Sequence, residues 1–144
     1  MLAEQYYQNA SEVRKNWSMT IDSVVHERPA FINRTHDRIM MMDEAVLSGI
    51  LDTFKYHVTI EKEDDGSLTG YEEELQLVEN ADTHDALLLK MASAMKDYAL
   101  DYYSQFNYWS KAPNRVSHIP YVIKLLTSDE RKVLEDMVCR DGKN

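Results

Sequence analysis

Residues 56–62, YHVTIEK, set Tyr56, Val58 and Ile60 against His57, Thr59 and Glu61. That period of two belongs to a strand with one buried face. The Asp65-Gly66 pair then predicts a turn, and β-branched runs on either side predict a three-stranded meander over about 56–62, 67–71 and 74–79. The period changes next. Asp82 or Thr83 can cap a helix running to about Asn107, with Leu88, Met91, Met95, Ala99, Tyr102 and Phe106 as its stripe.

Upstream of the meander the elements are shorter. Gln5-Tyr6-Tyr7 reads as a first strand, and Asn9 with Glu12 as a capping box. Val13, Trp17, Ile21, Val24 and Val25 then form one helical stripe ending before Pro29. Ala30 to Asn33 and Arg38 to Met42 are β-like runs around Arg34-Thr35-His36-Asp37, a turn without the usual glycine. Asp43 caps a helix to about Phe54 with Val46, Ile50, Leu51 and Phe54 on its apolar face. Downstream, Pro113-Asn114 marks a linker, and Pro120 suits the first turn of a helix carrying Val122, Ile123 and Leu126. Thr127 with Glu130 makes a second capping box for a last helix through about Cys139. The fold class is therefore α+β: a strand-helix-hairpin-helix module (1–55), an antiparallel meander with a long helix (56–112), and two short C-terminal helices (113–144).

The 144 residues carry a net charge of −9, which argues against a general nucleic-acid coat protein. The charge is uneven, for residues 57–110 hold three Lys/Arg against twelve Asp/Glu. A single cysteine, Cys139, and no basic-then-apolar leader or membrane-length run fit a cytoplasmic protein without membrane attachment. Glu61, Glu63, Asp65, Gly66, Leu68 and Glu72 fall at calcium-loop positions, but glutamates stand where shorter ligands belong and strands flank the loop. A hairpin turn is the better reading. His26, His36, His57, His84 and His118 show no metal spacing, and no nucleophile elbow or phosphate-binding glycine loop is present. Neither a catalytic residue, a metal nor a cofactor is expected.

Two clusters stand out. Arg14, Lys15, Arg34 and Arg38 are the basic set of the N-terminal half, and spacing alone favours salt bridges to Glu12, Glu27 or Asp37 over contacts to a polyanion. Among the aromatics, Tyr102 and Phe106 read as core, while Tyr103, Tyr108 and Trp109 fit core and interface equally. Met40, Met41 and Met42 follow one another on a strand, so core would cover one face and a dimer partner the other.

YYQNASEVRKNW, HERPAFINR and RIMMMDEAVLSGIL, in that order over about the first 55 residues, resemble the Phd/YefM antitoxins. The hairpin glycine and the aromatic after the third strand of that pattern are missing here. The resemblance implies that Arg14 and Arg34 face operator DNA, supported by Lys15, Ser11, Asn16, Asn33 and Arg38. It also implies a homodimer, with the methionines in its interface. HVTIEKEDDGSLTGYEEELQL followed by DTHDALLLKMASAMKDY is similar to HicB-like antitoxin domains, without their Pro-Gly-Cys stretch. Together these imply an autorepressing antitoxin whose acidic C-terminal half neutralises a cognate, basic toxin. The alternatives are a repressor without a toxin and an interaction protein that does not bind DNA.

Overall fold

Local chemistry starts each element of the first unit. A computed structural model describes residues 2–142 and separates the chain into two compact units, Met1–Ile50 and Leu51–Asn144. The first turns of 3-10 helix (Leu2–Tyr6) lead into β1 (Tyr7–Asn9), so the first strand lies two residues later than the expected Gln5–Tyr7. Asn9 accepts the Ser11 amide at 3.0 Å and caps α1 (Ala10–Lys15). The expected single helix is broken: Asn16 leaves helical geometry at φ −112 and ψ 36, and α2 (Trp17–His26) starts beyond it. Thr20 and Val24 are buried, while Trp17 and Val25 face solvent instead of joining the stripe. Strands β2 (Ala30–Arg34) and β3 (Asp37–Met41) make the hairpin, closed at the Arg34–Asp37 pair. Thr35 takes the turn position at φ 54, where glycine is usual and a β-branched side chain is strained. β1 runs parallel to β2, pairing Tyr7 with Phe31, which gives the sheet order β1-β2-β3. Val13, Val24, Ala30 and Ile32 form the core, with Ala10 and Met41 packed against it. Helix α3 (Glu44–Leu51) follows Asp43, whose carboxylate accepts the Ala45 amide.

The second unit is built on a four-stranded sheet, β6-β5-β4-β7. β4 (Tyr56–Lys62) buries Tyr56, Val58 and Ile60 as its alternation requires. β5 (Leu68–Glu72) and β6 (Leu77–Ala81) continue the meander, the third strand starting later than expected because Glu72 caps the intervening turn at the Glu74 and Leu75 amides. Gly66, at φ 88, and Asp65, bonded to the Ser67 amide, make the β4–β5 turn in the stretch that resembled a calcium loop. Thr83 caps α4 (His84–Ser104), which lays Leu87, Met91, Met95, Ala99 and Tyr102 on the sheet. At Gly70 a Cβ would stand 3.3 Å from Leu87, so the absent side chain lets the helix settle close. The helix stops short of Asn107, and a separate turn, α5 (Phe106–Trp109), follows.

The C-terminal stretch departs most from expectation. α6 (Ile119–Leu126) has Pro120 in its first turn and buries Val122 and Leu125. Asp129, not Thr127, caps α7 (Glu130–Glu135), accepting the Lys132 amide at 2.8 Å. The last helix ends there. Residues Met137–Asp141 are a strand, β7, parallel to β4 with Tyr56 opposite Met137, so residues 113–144 are not helical throughout and the sheet is mixed rather than antiparallel. Cys139, on that edge strand, is exposed.

Candidate nucleic-acid interface

In the first unit α1 and the β2–β3 turn converge. Arg14, from the last turn of α1, and Arg34, from the end of β2, line one open groove with Asn9, Ala10, Ser11 and Thr35. Two guanidinium groups beside a run of small polar side chains suit an anionic backbone. Arg34 is held by Asp37 at 2.8 Å, yet both side chains stay largely exposed, so this pair can be exchanged for phosphate at little cost. Among the described residues Arg14 makes no ion pair.

The other expected contacts lie off the groove. Lys15 pairs with Glu12 at 3.6 Å, and the Asn16 amide donates to the Glu12 carbonyl, closing α1. Arg38 pairs with Glu4 at 3.1 Å, rather than with Asp37, and its guanidinium stands 4.7 Å from the centre of the Tyr7 ring. Half-buried Asn33 sits opposite Arg38 in the ladder. The salt bridges expected from spacing thus hold for Lys15 and Arg34, Arg38 finds a different acid, and Arg14 is the exception.

A second, apolar groove of about 660 Å³ lies in the same unit, lined by Met19, Phe31, Met40, Met42, Val46 and Ile50 among others. Met40 is exposed in it, whereas Met41 turns to the core, as strand alternation demands. Spacing pointed to the methionines but missed Met19, which is exposed on α2.

In the second unit Tyr103 and Tyr108 are exposed. Trp109 is half-buried and lines a cleft of about 180 Å³ with Tyr98, Asp101, Tyr102 and Arg115. Burial, and then Arg115, lowers the pKa of His118, so the ring is neutral and its Nδ1 can accept the Tyr98 hydroxyl at 2.6 Å. Buried Asp136 is the hub of a lysine cluster: Lys55 lies at 2.8 Å, buried Lys124 at 3.0 Å and Lys132 at 3.3 Å, with Lys55 and Lys132 reaching in from the surface. Burial alone would raise the Asp136 pKa, but hydrogen bonds from Lys55, Lys124 and Lys132 outweigh it and hold the carboxyl below its usual range. His57, Glu73 and Glu74 bring ligand-type atoms within 4.8 Å of one another, with His57 Nδ1 directly on the Glu74 carboxylate. Among the described residues no helix is long and apolar enough to cross a membrane.

A family profile described as antitoxin of toxin-antitoxin, RelE/RelB, TA system, and labelled PHD-like, matches residues 1–139. The chain is also similar to a crystal structure from Syntrophomonas wolfei subsp. wolfei, described as an antitoxin part of a proposed toxin/antitoxin system. The TM-score is 0.90 at 31% identity, over 94% of this chain and 99% of that one. A comparison with curated proteins found no match.

Proposed function

Since the chain belongs to the PHD-like antitoxins of toxin-antitoxin systems, we propose that its first unit binds operator DNA as a dimer while its second unit engages the cognate toxin in the cytoplasm. We read the first unit as Phd/YefM-like and the strand-helix part of the second as HicB-like. An antitoxin acts by binding, and the reading assigns it no catalytic step. The observation that carries the DNA part is the shared groove of Arg14 and Arg34. Residues 20 positions apart, on a helix and a hairpin, converge on a single polar surface in an otherwise acidic chain. Phosphate contacts from such a pair supply affinity with little sequence information, so Thr35, Ser11 and the hairpin backbone would set the register. The apolar groove of Met19, Met40, Val46 and Ile50 supports the dimer, because so much uncovered apolar surface on a unit this small calls for a partner.

A mobility-shift titration on the DNA upstream of the protein's own gene tests the reading at two salt concentrations. Arg14→Ala and Arg34→Ala should each weaken binding and reduce the log-log salt slope by about 1, one counterion per lost phosphate contact. Unchanged slopes for both variants would remove the groove from the interface.

A further inference from the structure

Helix α4 carries two lysines, and the ammonium of each is tied to backbone carbonyls of its own unit. Lys90 Nζ donates to the Asn80 carbonyl at 2.9 Å, and Lys96 Nζ to the carbonyls of Leu125 at 2.7 Å and Ser128 at 3.0 Å. Leu89, Leu100 and Tyr103 are 47%, 51% and 62% exposed, and with Ser93 they follow one another at helical spacing. Exposed Asp97 and Asp101 flank them, and among the described residues neither has a cation at ion-pair distance. The helix therefore shows solvent an apolar strip beside free carboxylates, with Lys96 held by two carbonyls and the exposed Lys90 tied to Asn80 and Glu79. The surrounding sequence has the same sign, with three Lys/Arg against twelve Asp/Glu over residues 57–110.

We propose that this outer face of α4 is the surface on which the toxin docks, and that its occupant is a basic, amphipathic segment of that toxin. The assignment rests on the antitoxin reading above and says where on the second unit it operates. Charge decides between occupants. A second copy of the same face would set Asp97 and Asp101 against their own equivalents, and a nucleic acid would meet carboxylates, so both are repelled. A partner carrying lysines or arginines around apolar side chains gains at both the strip and its acidic margin.

The test uses the full chain and the purified product of the reading frame beside its gene, with binding followed by biolayer interferometry at low and physiological salt. Asp97→Lys/Asp101→Lys should weaken binding about tenfold or more at low salt, and the deficit should shrink as salt rises. Leu100→Ser/Tyr103→Ser should weaken it about tenfold at both salts, since apolar contact is not screened. Glu63→Lys/Asp64→Lys makes the same charge change at the β4–β5 turn and should cost less than about threefold. All six positions are exposed, and circular dichroism melts confirm that the variants stay folded. The docking face is overturned if the wild type binds and both α4 variants stay within about threefold of it. A wild type that fails to bind its neighbour's product refutes the toxin pairing itself, and the docking face falls with it.

Discussion

Replacing Lys124 by methionine tests whether the Asp136 cluster holds the second unit together. Both side chains are almost wholly out of water, at 4% and 3% exposure, and Lys124 also donates to the carbonyls of Asp52 and Phe54. Removing one member of a buried ion pair costs about 3–5 kcal/mol, because the other charge is left without compensation. Asp136 would still keep Lys55 at 2.8 Å and Lys132 at 3.3 Å, which pulls the loss to the lower end, about 3 kcal/mol. For a domain of this size each kcal/mol moves the melting midpoint by roughly 4–8 °C, so a fall of about 12–24 °C is expected. Thermal unfolding of the full chain by far-UV circular dichroism, at one protein concentration, reads it directly. Lys124→Met/Asp136→Leu, which removes both charges, should recover at least half of the loss, since apolar replacements of buried pairs are often neutral. A single variant melting within about 3 °C of the wild type would show that the cluster is not a structural hub.

Titration of buried Glu72 gives a second prediction: burial, followed by the neighbouring Glu74, pushes its pKa up to about 8. The native state then binds the proton more tightly than the unfolded chain, so stability should fall as pH rises from about 4.5 and level off above the native value. Glu72→Gln should flatten that slope in a series of melts. Asp136 acts with the opposite sign: its lowered pKa contributes stability above the unfolded value near 4, lost as pH falls through the native one. Thr35→Gly should raise stability by about 1 kcal/mol in denaturant titrations, because glycine accepts the turn's φ of 54 without strain. Val46→Glu/Ile50→Glu should halve the mass seen by light scattering if the apolar groove holds two copies together.

Local signals carried the sequence reading a long way where neighbours alone decide the structure. The alternation in Tyr56–Lys62, the Asp65-Gly66 turn, the caps at Asn9 and Thr83 and the stripe from Met91 to Tyr102 each depend on a few adjacent residues. Features set by distant partners were hidden. Met137–Asp141 follows a short capped helix and is apolar enough to continue it, so only its pairing with β4 makes it a strand. The break at Asn16 was equally silent, because the residues around it share one helical period. Arg14 and Arg34 were singled out by resemblance. Spacing could not bring them together, since their convergence needs the parallel pairing of β1 and β2.

The position of β7 also sets a timetable. Thr59 and Arg140, joined through the Arg140 guanidinium on neighbouring strands, lie 81 residues apart in sequence. At ribosomal speeds of about 5–20 residues per second, β4 waits roughly 4–16 s after its synthesis before that neighbour exists. Throughout that interval the first unit has all its strands, while the second carries an unpaired edge of the kind that invites pairing with other chains. A transcript or nascent chain cut before residue 137 would therefore deliver the arginine groove together with an unfinished second unit. Completion of translation becomes a condition on the second unit alone.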